Sequence, residues 1–318
     1  MDDANLSNVE GPPPTIPPRE NRLLKGQAVP FVLLRICIYI ALAAGITFAL
    51  QWIAAALSGG ERSIYSPKVL AMSEATLMIG ALAAGLVMSQ LEGRPFGDYG
   101  LPVRRGFGKL FWQGAFFGLI EISVVIGVIA ALGSYHFGSL AIHGVQVLRW
   151  ATFWGVCFVI VALYEEFTFR GYLQFALTQA AGFWPAALLL SIGFGLVHRG
   201  NPGESKLGMA GVMLVGLFWC LTLRRTGNLW FAVGMHASFD FGETFLYSVP
   251  DSGVVFPGHL SNATLAGPGW LTGGSAGPEA SLCDFIVLLL LFYVFHRLYP
   301  RPESSQDQAE RGVTAAAS

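Results

Sequence analysis

Eight apolar stretches recur along this chain, at about 29–57, 69–91, 107–132, 149–178, 183–198, 207–223, 228–247 and 281–299, separated by Gly, Pro and charged residues. A bilayer's hydrocarbon core is ~30 Å thick, which an α-helix crosses in ~20 apolar residues. Backbone amides in lipid find no water, so such stretches must satisfy their own hydrogen bonds as helices. The expected fold is therefore all-α: a polytopic transmembrane helical bundle of about eight spans. Charge agrees, since Asp, Glu, Lys and Arg make up 12% of the 318 residues, against ~25% in soluble domains. So few charges cannot coat a water-facing surface. A net charge of -1 leaves no basic footprint for nucleic acid, so the lipid bilayer is the expected partner and nucleic acid is not.

One transmembrane domain is expected over 29–299, between polar tails at 1–28 and 300–318. The first tail carries Pro12, Pro13, Pro14, Pro17 and Pro18 and lacks the charged-then-apolar order of a cleaved signal. Both tails read as disordered and cytosolic. Lys and Arg collect in alternate connections: Arg19, Arg22 and Lys25; Arg94, Arg104, Arg105 and Lys109; Arg224 and Arg225; Arg297 and Arg301. Segments 134–146 and 248–280 contain none. By the positive-inside rule both termini are expected in the cytoplasm and the 248–280 loop outside. Cys37, Cys157, Cys220 and Cys283 lie in or at the edge of separate apolar runs without CxxC spacing, which argues against a thiolate zinc site or a disulfide framework.

Ionisable side chains at membrane depth cost ~2.5–3.5 kcal/mol each on insertion scales, so each needs a reason. Tyr164-Glu-Glu-Phe-Thr-Phe-Arg-Gly171 places three together. Glu166 and Arg170 stand at i, i+4 with the acid first, the favourable order for an ion pair on one helix face. Glu165 projects ~100° away and has no partner in its own segment, which makes it the candidate base or ligand. His198 ends the fifth stretch, and His236 with Asp240 forms a second i, i+4 pair in the seventh. If the fourth and fifth stretches turn near Ala181 and Gly182, Glu165 and His198 each lie roughly 24 Å from the turn and share one depth. Glu74 and Glu121 have no patterned companions and are equally open to a structural role. His136, His143, His259 and His296 are read without chemistry. Gly273-Gly-Ser275-Ala-Gly277 matches G-x-S-x-G in letters, but in a Gly-rich loop rather than a strand-to-helix elbow.

Glu165, Glu166 and Arg170, then Phe194 and His198, then His236 and Asp240 form the ordered pattern E-E-x-x-x-R, F-x-x-x-H, H-x-x-x-N/D. With Arg225-Thr-Gly-Asn-Leu-Trp230 leading into the last motif, the stretch 150–245 resembles the CPBP family of CAAX prenyl endopeptidases and bacteriocin-processing enzymes, also called Abi. The resemblance implies an intramembrane metalloendopeptidase acting on a membrane protein or peptide. Glu165 would activate water. His198, His236 and Asp240 would hold a metal or stabilise the oxyanion, supported by Glu166, Arg170 and Phe194. Asp240 stands where many members carry Asn, and its charge, with Glu243 one turn on, favours a cation. Zinc on His198, His236 and Asp240, with Glu165 or Glu243, is thus the expected cofactor. The site is expected near the cytoplasmic side of a bacterial inner membrane, where prenylated substrates are not expected. The alternative is a non-catalytic membrane protein, either an ion- or proton-coupled transporter or an immunity or scaffold protein, that retains the polar cluster.

Overall fold

The computed structural model describes residues 26–57, 63 and 66–300; the expected tails fall almost wholly outside them. All eight apolar stretches are helical. They form α1 (Val29–Leu57), α2 (Pro67–Glu92), α3 (Lys109–Ala131) and α4 (Val145–Glu166). A π-helical stretch, Phe167–Leu173, then leads into α5 (Gln174–Ala181). Next come α6 (Phe183–Val197), α7 (Lys206–Thr226) and α8 (Trp230–Phe241), with a π turn over Gly242–Leu246. A short α9 (Gly269–Thr272) precedes α10 (Leu282–Leu298). Five segments are long and apolar enough to cross a membrane: α1, α2, α3, the continuous 145–181 segment and α7. At 15, 12 and 17 residues, α6, α8 and α10 fall short of the ~20 a crossing needs. The bundle thus combines five full-length crossing helices with three shorter ones.

Helix ends follow from local sequence. Gly182 (φ 82°) and Gly227 (φ 76°) adopt positive φ, which glycine enters without a Cβ clash, and each reverses the chain into the next helix. Ser205 and Ser281 cap α7 and α10 by accepting from Gly208 N (2.9 Å) and Asp284 N (3.0 Å).

Helix α8 is the centre of the bundle, with Phe231, Ala232, Val233, Gly234 and Met235 all buried between α3 and α4. Small residues permit this. A Cβ on Gly114 or Gly118 of α3 would strike the carbonyl oxygens of Phe231 or Met235, and one on Gly234 would strike that of Phe111. The Gly114–Gly118 spacing is the small-xxx-small pattern that lets membrane helices approach backbone to backbone. Around this contact α1 packs on α2, α6 on α7, and α10 on α3 and α7.

The two ends of the bundle differ. At one, Arg35 of α1 meets Glu92 (3.6 Å) and donates to Gln179 Oε1 (3.1 Å), Tyr172 Oη donates to Glu92 Oε1 (2.7 Å), and Arg225 contacts His296 Nδ1 (3.0 Å). At the other, β1 (Tyr135–His136) pairs antiparallel with β2 (Thr264–Leu265), so the two loops free of Lys and Arg share one face. Pro202 and Gly203 pack there against Gly253 and Ser275.

Candidate active site

The π-helical stretch begins directly after Glu165 and Glu166, and Gly171 within it departs from helical geometry (φ -85°, ψ -105°). Beside that irregularity the expected residues gather on α8. Arg170 Nη1 donates to Glu166 Oε1 at 3.2 Å, so the i, i+4 ion pair is formed, with both side chains wholly buried. The guanidinium lies over the Phe194 ring (4.1 Å) and the Trp219 ring (5.1 Å). These faces stabilise a cation where water is excluded. Gly216 leaves the room Arg170 occupies, since a Cβ there would press on Nη2.

Glu166 does more than neutralise Arg170. The same Oε1 accepts from His236 Nδ1 at 3.1 Å, and the imidazole stacks on Trp219 with centroids 4.5 Å apart and planes at 18°. Carboxylate, ring face and α8 backbone together fix the imidazole plane. Nε2 then faces Asp240 Oδ2 at 3.4 Å and Glu165 Oε2 at 3.8 Å. His198 Nδ1 donates to the Phe194 carbonyl at 2.8 Å, which leaves its Nε2 as the free ring nitrogen.

Glu165, His198, His236 and Asp240 line one cavity of about 400 Å³. Glu74 and Glu121, which had no companions along the chain, line it too, as do Asp251, Glu279 and Asp284. Seven carboxylates and two imidazoles therefore face one space whose lining includes no Lys or Arg. Burial pushes the Asp251 carboxyl up to about 6 against the opposing pull of the Thr244 hydroxyl, and burial with Asp251 and Asp240 nearby pushes Glu279 well above the usual carboxylate range. Asn201, Pro202, Asp251 and Ser252 form part of the wall, so the cavity lies toward the end that carries the 248–280 loop. His198 lies at the end of α6 remote from the Gly182 turn, and that turn belongs with the Arg-rich end, where Arg224 covers Phe183.

The zinc donors expected from the motifs do not close into a site. Among the described residues one set of three His, Cys, Asp or Glu donors lies within 4.8 Å of one another, and it is Glu243, Asp251 and Glu279. His236 Nε2 and Asp240 Oδ2 are near neighbours, but His198 does not complete a set with them. Glu243 also leaves the His236–Asp240 group, because α8 gives way to a π turn at Gly242 and the register of its face is lost.

Residues 146–242 match the family model described as type II CAAX prenyl endopeptidase, Rce1-like. The segment is similar to the Rce1-like family. It contains Glu165, Glu166, Arg170, Phe194, His198, His236 and Asp240. No curated protein and no solved structure matches the chain. Five of the described helices are long and apolar enough to cross a membrane, which points to an integral membrane protein.

Trp219, Asp251, Glu279 and Asp284 escaped the sequence reading. Trp219 is one aromatic among many in an apolar run and carries no signal of its own. Asp251 and Glu279 sit in a Gly- and Pro-rich loop, where acids are ordinarily solvated. Their one clue was that no Lys or Arg accompanies them in that loop.

Proposed function

We propose that the protein is an intramembrane endopeptidase that hydrolyses a peptide bond of a membrane-tethered substrate, without a metal in the reaction. The observation that carries this reading is the Glu165–His236–Asp240 grouping at the wall of the cavity, with Glu166 fixing the far nitrogen of the imidazole. Glu165 is the general base. It takes a proton from water oriented by His198 Nε2, and the water oxygen bonds to the scissile carbonyl carbon. His236 carries both protons in the working state, donating Nδ1–H to Glu166 and Nε2–H to the developing oxyanion, with Asp240 holding its charge. Glu165 then returns the proton to the leaving amine as the C–N bond breaks, giving one carboxylate and one amine product. Positioned acid–base groups contribute ~10²–10⁴-fold and an oxyanion donor ~10²–10³-fold.

The loop-bearing end of the cavity is read as the outer side, from the Lys and Arg distribution, so the substrate bond is cut near the outer leaflet of a bacterial inner membrane. The test is turnover of a library of membrane-tethered peptides, prenylated and unprenylated, by the full chain in lipid nanodiscs. Wild type should cleave, and Glu165→Gln and His236→Ala should each lose about a thousandfold in kcat. The zinc chelator 1,10-phenanthroline should leave wild-type turnover unchanged. Equal cleavage by all three proteins rejects the peptidase reading, and loss of activity with the chelator restores the zinc requirement.

A further inference from the structure

Three acids beyond the matched segment take no part in the proposed reaction, and two of them, Asp251 and Glu279, line the loop-bearing end of the cavity. Glu243 comes from the π turn after α8, Asp251 from the loop, and Glu279 from the short helical turn Pro278–Ala280 before α10. Each offers a carboxylate oxygen within 4.8 Å of the others. Local donors engage one oxygen of each: Glu279 N donates to Glu243 Oε1 (3.3 Å), Thr244 Oγ1 to Asp251 Oδ2 (2.9 Å), and Ser252 N to Glu279 Oε1 (3.0 Å). These contacts fix the carboxylates in place without neutralising them. Among the described residues no Lys, Arg or His forms an ion pair with any of the three.

Two separate observations point to a ligand. Glu243 is 0% exposed and its Oε2 has no hydrogen-bond partner, though it is held beside two other acids. Asp284, 6% exposed on the adjoining first turn of α10, likewise has a buried Oδ1 without a partner, and its charge acts on Glu279. Buried carboxylate oxygens left without donors or cations are rare, because such a group is normally paired or coordinates a metal.

We propose that Glu243, Asp251 and Glu279 form a binding site for a hard divalent cation, calcium ahead of magnesium, that ties the outer loop to the end of the His236 helix. The donor set is all oxygen, which selects calcium or magnesium over zinc. The three carboxylates come from a π turn, a loop and a short helical turn, an irregular shell that calcium accepts and magnesium does not. Backbone carbonyls of the loop and water would complete the shell. The site is independent of the peptidase reading, since its occupancy is measured without turnover.

The test is calorimetric titration of CaCl2, MgCl2 and ZnCl2 into the purified, chelator-treated full chain in detergent, with thermal unfolding followed in parallel. Wild type should bind one calcium, more tightly than magnesium, with a rise in unfolding temperature. Asp251→Asn and Glu279→Gln should each weaken calcium at least about tenfold and abolish the thermal shift. Glu204→Gln, near the cluster but outside it, should keep wild-type affinity. Because Glu243→Gln alters the most buried member, the two loop-side variants decide. No calcium binding by wild type, unchanged affinity in Asp251→Asn and Glu279→Gln, or tighter binding of zinc than calcium would each overturn the assignment.

Discussion

Glu166 Oε1 serves two partners at once, the Arg170 guanidinium at 3.2 Å and His236 Nδ1 at 3.1 Å. With both the acid and Arg170 buried, removing the acid alone strands a cation among aromatic rings. Breaking a buried pair in this way costs ~3–5 kcal/mol, whereas replacing both members with apolar residues is often close to neutral. Glu166→Gln should therefore lower thermal stability in detergent by about that amount and cut kcat while leaving KM unchanged, because the side chain is 0% exposed and cannot touch substrate. The double variant Glu166→Leu with Arg170→Leu should recover most of the stability and none of the activity. Recovery of activity would show that the imidazole needs no carboxylate behind it.

At the scale of elements, the approach of α3 to α8 depends on glycine. Valine at Gly114 or Gly118 inserts three carbons against the backbone carbonyls of Phe231 or Met235 and must push the helices apart. The expected cost is ~1–3 kcal/mol of overpacking, seen as a lower unfolding temperature. Activity should fall with it, since Met235 immediately precedes His236. Gly127, farther along α3 with open space around it, is the matched control, and Gly127→Val should leave activity unaltered. These contacts also show what the sequence could and could not convey. The eight long apolar stretches were readable as helices, the short α9 inside the 248–280 loop was not, and the Glu165, His198 and His236 motifs were readable from their spacing. The Glu74 and Glu121 contributions were not, because they depend on how α2 and α3 turn their faces once packed, which residue spacing along either helix does not convey. The departure of Glu243 from the His236 group was hidden for a related reason: counting residues along α8 assumes a regular helix, and the π turn at Gly242 ends that regularity.

For the whole molecule, charge and topology describe the same axis. Arg35 near the start of α1 and His296 near the end of α10 both belong to the Arg-rich end, while the carboxylate-lined cavity lies toward the other. Tags fused to the two termini should therefore be protected together from protease added outside intact cells, and a protease site inserted at Gly258 in the outer loop should be cut under the same conditions. Cleavage at either tag would reverse the assigned orientation. Within this frame the chain divides its labour: long helices set the position in the membrane, and short helices, sheltered by them, carry the reactive groups.

The π-helical stretch 167–173 carries a further consequence, for tolerance to deletion. A π segment holds one residue more than an α-helix would use over the same rise. Deleting Thr168 would let regular helix run from 145 to 181 and should stabilise that segment taken alone. It would also turn Glu165 and Glu166 by ~100° relative to everything after them. Arg170, and with it the cage of Phe194 and Trp219, would no longer meet the acid that holds His236. The extra residue thus works as a phase shift in the chain: a locally poorer helix is what keeps two halves of one site in step.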